Sequence, residues 1–461
     1  MNLYNSLRAR EQAGTPIRIG LIGCGKFASM YLAQLRSSVG VQLAGIADLA
    51  PQRAYDWLLR TGWNQEQLAT TTSTSEINAA AARQCVGITD DPTTLLQADL
   101  QVIIECTGDP EAGTRHALDA FSTGKHVVMV TVEADALLGP LLGRAAAQAG
   151  VVYSMAYGDQ PALVCELVDW ARTSGFQIVA AGKGTRYLPR YHFSTPDTVF
   201  TDYGFSDEQV VQGGLNAQMF CSFLDGTKSA IEMAAVANAT GLSPQSAGLQ
   251  FPASSRNQLA EILKPHTAGG ILTQTGTVEV VSSLHRDGSP VADDLRWGVY
   301  VTYQGSTDYV AQCFHEYGIH TDSSGHYAAL YRDQHLIGLE LGVSVASVAL
   351  RNEPTGSPTA FLGDVAAIAK RKIKVNERLD GEGGYTVFGR LIPSQESLAQ
   401  KALPIGLANG AIANRAIEQG EMVRYGDVQL PAGRVTVRLR KELESEFQRS
   451  AASNPNRTER R

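Results

Sequence analysis

The chain has 461 residues, 44% hydrophobic and 18% charged, with a formal net charge of −7. That length exceeds what one hydrophobic core organises, so two or three domains are expected. The apolar fraction excludes general disorder. The acidic balance excludes the broad basic surface that nucleic acid needs, while leaving room for a local cationic pocket. Six cysteines stand at 24, 85, 106, 165, 221 and 313 without a CxxC pair. Neither a zinc knuckle nor a redox pair is indicated, and a reducing, cytoplasmic setting is expected. Met1 to Thr15 is polar, and no run of about 18 apolar residues occurs, so neither a signal peptide nor a membrane span is expected.

In chain order, residues 2–12 read as a short amphipathic helix and 17–22 (IRIGLI) as a buried strand closed by glycines. A helix at 27–36, a strand at 41–47, strands at 101–105 and 126–130 around a helix at 111–123, a helix at 134–149 and a strand at 151–155 follow. Strands alternating with helices predict an α/β class with a Rossmann-type, doubly wound parallel sheet over 1–157. Residues 158–351 read as an α+β substrate and dimerisation domain. It has a helix at 160–173, a strand at 176–182, an alanine-rich helix at 222–240, strands at 277–284 and 297–303, and a helix at 327–350 that packs back on the first domain. Residues 352–359 (NEPTGSPT) form a linker. The segment 360–440 reads as a separate small, β-rich domain, with VAAIAKRKI and VTVRLRKEL as strand-like pieces. The polar tail 450–461 is expected to be disordered.

The strongest chemical signal is Gly23-Cys24-Gly25-Lys26-Phe27-Ala28, a GxGxxA pattern directly after a strand and opening a helix. Gly23 allows the tight turn, Gly25 lets backbone approach a pyrophosphate, and Ala28 lets helix and strand pack closely. Asp48, at the end of the next strand, is placed for the ribose hydroxyls. Arg53 is placed for a 2′-phosphate, so NAD and NADP both remain open. Ile104-Glu-Cys-Thr107-Gly108 closes what reads as the fourth strand, and Thr107 and Gly108 join the cofactor candidates.

Three stretches carry polar groups among small or apolar neighbours. In Ala181-Gly-Lys183-Gly-Thr-Arg186-Tyr187, Lys183 suits carbonyl polarisation or proton donation, and Arg186 and Arg190 suit an anion. Asp225, Lys228 and Glu232 fall at i, i+3 and i+7 and on one helix would share a face within about 60°. An exposed Lys228–Glu232 pair is the plain alternative. In Phe314-His315-Glu316-Tyr317-Gly-Ile-His320-Thr-Asp322, His315 and its neighbours suit a substrate, a divalent metal or an ordinary polar network. His192 is similarly ambiguous.

GLIGCGKFASM, SFLDGTKSAIEMAAVANATGL, LDGEGGYTVFGRLIP and ALPIGLANGA together resemble the homoserine-dehydrogenase-like oxidoreductases, and more narrowly their branch with a C-terminal SAF domain. Within it the chain resembles the DRL enzymes, reductoisomerase-like proteins. That resemblance implies an NADP cofactor (NAD as the alternative), a possible Mg or Mn ion, and a small anionic substrate. It implies conversion of 1-deoxy-D-xylulose 5-phosphate to 2-C-methyl-D-erythritol 4-phosphate. Homoserine or a branched sugar acid is the alternative substrate. Carried over by motif, Lys183, Arg186, Asn216, Ser222, Thr227 and Lys228 would contact phosphate and hydroxy-ketone. A homodimer is expected by analogy.

Overall fold

A computed structural model describes residues 2–453. The chain forms two compact units. The first comprises 1–135, 139–163 and 335–359. The second comprises 136–138, 164–334 and 360–461.

The first unit is built on β1 (Ile17–Ile22), β2 (Val41–Ala47), β3 (Leu68–Thr70), β4 (Val86–Thr89), β5 (Val102–Glu105), β6 (His126–Met129) and β7 (Tyr153–Met155). They form one seven-stranded sheet in the order β3-β4-β2-β1-β5-β6-β7, with every neighbouring pair parallel. The doubly wound sheet is therefore present. Ile17, Ile19, Leu21, Val102 and Ile104 are buried in one core, as expected for strands covered on both faces. The stretch 101–105 closes the fifth strand rather than the fourth. β3 (LAT) and β4 (VGIT) have three and four residues, too short to show a period of their own.

The expected helix over 327–350 is corrected. Its first part, Tyr327–Arg332, is a strand, and only Gly342–Arg351 is helical. The polar break at Arg332-Asp333-Gln334-His335 separates the two. The helical part does pack on the parallel sheet, through Val345 and Val348.

The second unit contains β8 (Gln177–Thr185), β9 (Thr277–Ser282), β10 (Val299–Gln304) and β11 (Tyr327–Arg332), in the order β11-β10-β8-β9. β8 runs parallel to β9 and antiparallel to β10. The single helix expected over 222–240 is two: Ala217–Leu224 and Thr227–Thr240, joined by an elbow at Asp225-Gly226. Gly226 holds φ +86°, a left-handed conformation that glycine adopts without strain.

The same unit holds β12 (Gly363–Ala369) and β13 (Val387–Pro393), an antiparallel pair. VTVRLRKEL is not a strand. It opens the Val435–Ser453 helix, whose buried residues Thr436, Leu439, Arg440 and Leu443 recur at helical spacing. That helix takes in the first residues of the expected tail, and 454–461 lie outside the described residues. Arg440 is fully buried. Its guanidinium donates to Asp364 Oδ2 (2.6 Å), Glu444 Oε1 (2.8 Å) and the Leu137 carbonyl (3.1 Å), so the buried charge is fully partnered.

Candidate functional site

The nucleotide loop sits at the carboxyl end of β1. Gly23 has φ +90°, and a Cβ there would lie 2.9 Å from the Cys106 carbonyl and from Thr107 backbone, so only glycine fits. Gly25 is different. It caps the Lys26–Leu35 helix, and nothing lies within 4 Å of the space a Cβ would fill. Open space beside helix-terminal N–H groups is what a pyrophosphate requires. Ala28 is buried against the sheet; Lys26 is exposed and Phe27 half-buried.

Asp48 is buried. Its Oδ2 accepts from the Cys24 amide (2.6 Å), its Oδ1 from the Ala50 amide (2.8 Å), and Arg53 Nη2 reaches both oxygens at 2.7 and 2.8 Å. Asp48 thus ties the glycine loop to the end of β2 and holds the Arg53 guanidinium beside it. Thr107 and Gly108 are fixed by Glu105. The Thr107 hydroxyl and Thr131 hydroxyl both donate to its carboxylate, and the Gly108 amide donates to Thr131 Oγ1 at 3.0 Å. The nine residues expected to hold the cofactor therefore lie in the loops and first helical turns that follow β1, β2 and β5. Burial pushes the Cys24 thiol up to about 12, so it is not a nucleophile.

In the second unit, Lys183 lies near the end of β8, only 6% exposed, and pairs with the buried Glu232 carboxylate. The flanking glycines have a packing reason. A Cβ on Gly182 would lie 1.8 Å from the Glu279 carbonyl, and one on Gly184 1.8 Å from that of Leu295. Close backbone approach on both sides explains the glycines and leaves Lys183 as the one charged side chain between them.

Arg186 follows on the same segment. One nitrogen donates to the Asp202 carbonyl (3.2 Å), while Nε is buried without a hydrogen-bond partner. Burial lowers the Arg296 pKa, with Tyr203 and Asp294 opposing and Arg186 adding to the fall; its guanidinium lies 4.7 Å from the Trp297 ring centroid and 6.0 Å from that of Tyr203. Among the described residues neither arginine makes an ion pair. Arg186, with its buried Nε unpartnered, is the anion-binding candidate of this segment.

The shared face of Asp225, Lys228 and Glu232 does not exist, because the Gly226 elbow interrupts the helix. Asp225 instead makes a fully buried ion pair with Lys370 at 2.7 Å. Burial raises its pKa, and the Lys370 charge opposes that rise. Lys228 is half-buried in the first turn after the elbow, one turn before Glu232.

Several expected substrate contacts have structural work. Asn216 caps a helix by accepting from the Met219 amide (3.1 Å), Ser222 donates to Glu382 (2.5 Å), and Thr227 Oγ1 accepts from the Gly389 amide (2.8 Å). His315, Glu316, Tyr317 and His320 are exposed, on or just after the Asp308–Glu316 helix, and Asp322 pairs with buried Lys264 at 2.8 Å. Gly318, Ile319 and His320 line a cavity with Arg256 and Tyr331, and His315 and Glu316 are not part of that lining. Arg190 is exposed, against the Tyr191 ring. Among the described residues no three His, Cys, Asp or Glu side chains are grouped to hold a metal. The divalent-ion expectation finds no such ligand set there.

Three residues went unread in the sequence. Tyr187 stacks on Phe251 with ring centroids 3.9 Å apart. Glu279, fully buried on β9, accepts from the Gln245 side chain (2.8 Å) and from the Gln250 (2.9 Å), Phe251 (3.3 Å) and Val280 (2.9 Å) amides. Burial pushes its pKa up to about 7, against the pull of those donors. Lys370 lies 145 residues beyond Asp225, its partner. A lone glutamate in TVEVV and a lysine in AIAKRK carry no local signal.

Residues 23–155 match the family model described as homoserine dehydrogenase, NAD binding domain, and 158–341 the model described as oxidoreductase DRL, catalytic domain. No curated protein sequence matches the chain. Among solved structures, scyllo-inositol dehydrogenase from Lactobacillus casei is similar at 13% identity and a TM-score of 0.33, covering 63% of this chain and 74% of that one. An oxidoreductase from Desulfitobacterium hafniense, described as NADPH-dependent, is similar at 10% identity and a TM-score of 0.36, covering 74% and 89%. Likeness at that level carries no argument about substrate. With the family matches and the nucleotide loop, the chain is an NAD(P)-dependent oxidoreductase with a Rossmann-type cofactor domain. Among the described residues no helix is long and apolar enough to cross a membrane.

Proposed function

We propose that this oxidoreductase is an NADPH-dependent reductoisomerase that converts 1-deoxy-D-xylulose 5-phosphate to 2-C-methyl-D-erythritol 4-phosphate, with 360–440 as its SAF domain. The observation that carries the reading is on one segment: the buried Lys183–Glu232 pair, followed three residues later by Arg186, whose buried Nε has no hydrogen-bond partner. An acid–base pair beside an anion site suits a phosphorylated hydroxy-ketone. The match of 158–341 to the DRL catalytic domain supports the same class.

The rearrangement moves a carbon chain from the carbinol carbon to the carbonyl carbon. The hydroxyl gives up a proton and the former carbonyl oxygen takes one. The Lys183 ammonium polarises that oxygen and donates to it, and Glu232 holds the ammonium in place. Arg186 holds the phosphate. NADPH, when bound, supplies hydride to the new aldehyde, and a second proton completes the alcohol. Arg53, held beside Asp48, favours the 2′-phosphate form of the cofactor.

The test mixes purified protein, NADPH and 1-deoxy-D-xylulose 5-phosphate, follows loss of reduced cofactor and identifies the product by mass spectrometry. Substrate-dependent oxidation that Arg186→Ala weakens mainly through KM supports the reading. Folded, NADPH-binding protein without turnover sinks it and moves the search to homoserine and sugar acids with NAD⁺.

A further inference from the structure

Residues 360–453 lie outside both matched regions, yet their contacts converge on one place. Lys370, 3% exposed, donates to Asp225 Oδ2 (2.7 Å), the Ser194 carbonyl (2.7 Å) and the Gly384 carbonyl (2.8 Å). These three oxygens match its three N–H bonds, with Cys221 Sγ a longer fourth contact at 3.4 Å, so the buried ammonium is fully partnered. The Gly389 amide donates to Thr227 Oγ1 on the far side of the elbow, and Gln218 and Ser222 donate to Glu382 on the near side. Phe388 stacks on the His192 ring at 4.5 Å. The elbow between the two helices and His192 are thus clamped from β12, β13 and the loop between them.

The clamp has a directional consequence. His192 Nδ1 lies 2.7 Å from the Asp225 carbonyl, which can only accept, so Nδ1 carries the proton. Nε2 is then an acceptor, and the Tyr187 hydroxyl 2.8 Å away donates to it. With its one hydrogen committed, Tyr187 has only lone pairs to offer. His192 stays neutral, since burial lowers its pKa to about 4. Arg390 and Lys370 press in the same direction, against the Asp225 carbonyl. The charges facing Tyr187 are Arg286, Arg390 and Glu279.

We infer that β12, β13 and Lys370 are the positioning element of this site: they hold the Asp225 elbow and His192 so that Tyr187 meets a substrate hydroxyl as a hydrogen-bond acceptor. This rests on the reading of the β8 segment as substrate-facing. It gives the C-terminal module a part in the reaction while keeping it away from the reacting atoms.

The test uses the full chain with Lys370→Met and Asp225→Asn together, so that no buried charge is orphaned, and Phe388→Leu as a second variant that removes the ring contacts of Phe388 with His192 and Phe193 while leaving the charges in place. Nitrogen-15 NMR of labelled histidine, with His192 assigned by the signal missing in His192→Gln, reports the tautomer. Folded variants should bind NADPH as wild type does, lose the single Nδ1–H tautomer, and show kcat on 1-deoxy-D-xylulose 5-phosphate reduced by about 100-fold. A folded variant that keeps both tautomer and kcat overturns the inference. If the double variant does not fold, Phe388→Leu decides by the same readouts. If wild type does not turn over this ketose, the substrate reading fails, and the tautomer measurement alone decides the inference.

Discussion

Replacing Lys183 by methionine separates the two jobs of this side chain. The substitution removes the ammonium but nearly preserves volume, leaving the Glu232 carboxylate, 3% exposed, without its partner. Breaking a buried pair from one side costs about 3–5 kcal/mol, because an uncompensated charge stays behind. The cost depends on pH with a definite sign. An orphaned buried carboxyl has a folded-state pKa above its unfolded value of about 4.3, so the penalty is absent below that pH and grows by about 1.4 kcal/mol per unit above it. Urea unfolding followed by tryptophan fluorescence at pH 5 and pH 8 reads this directly. Lys183→Met should lie near wild type at pH 5 and far below it at pH 8, and adding Glu232→Leu should recover most of the loss at pH 8. Turnover should fall by about 10²–10⁴-fold in both variants, since neither has the acid. A Lys183→Met protein as stable as wild type at pH 8 would refute the buried pair. One that retains turnover would refute the role given to Lys183.

Further outcomes follow from the same geometry. Gly182→Ala should fail to fold, because its Cβ would meet the Glu279 carbonyl at 1.8 Å, whereas Gly25→Ala should fold normally and lose NADPH binding, as measured by cofactor fluorescence. Arg53→Ala should weaken NADPH by about 10–100-fold, the worth of a charge-assisted hydrogen bond, and leave NADH unchanged; an equal effect on both cofactors would remove Arg53 from the 2′-phosphate. Glu279, with its folded pKa near 7, contributes stability that is full below about pH 4.3 and lost as pH rises through 7. The urea midpoint of Glu279→Gln should therefore depend less on pH between 5 and 8 than that of wild type.

The cofactor half was legible in the sequence because its signals are local. GCGKFA follows a continuous apolar strand, and Asp48 ends the next one. Turn geometry, helix start and strand burial are each set within a few residues, and the structure places all of them as read. What failed was also local in origin. A short strand such as VGIT shows no period, VTVRLRKEL reads as a strand until its burial spacing is seen, and Asp225 reads as part of a helix that Gly226 ends.

The substrate half depended on partners that only folding brings together. Sequence spacing put Asp225, Lys228 and Glu232 on one face, yet Asp225 pairs with Lys370 and Glu232 with Lys183, each across a different interface between elements. A charge buried in a dielectric lower than water must find a counter-charge wherever the fold supplies one, at any separation along the chain. The type of each residue and its local turn were written in the sequence. Which charge meets which, and hence which of the polar residues are free to do chemistry, was decided by the tertiary structure, because pairing energies act through space and chain order does not.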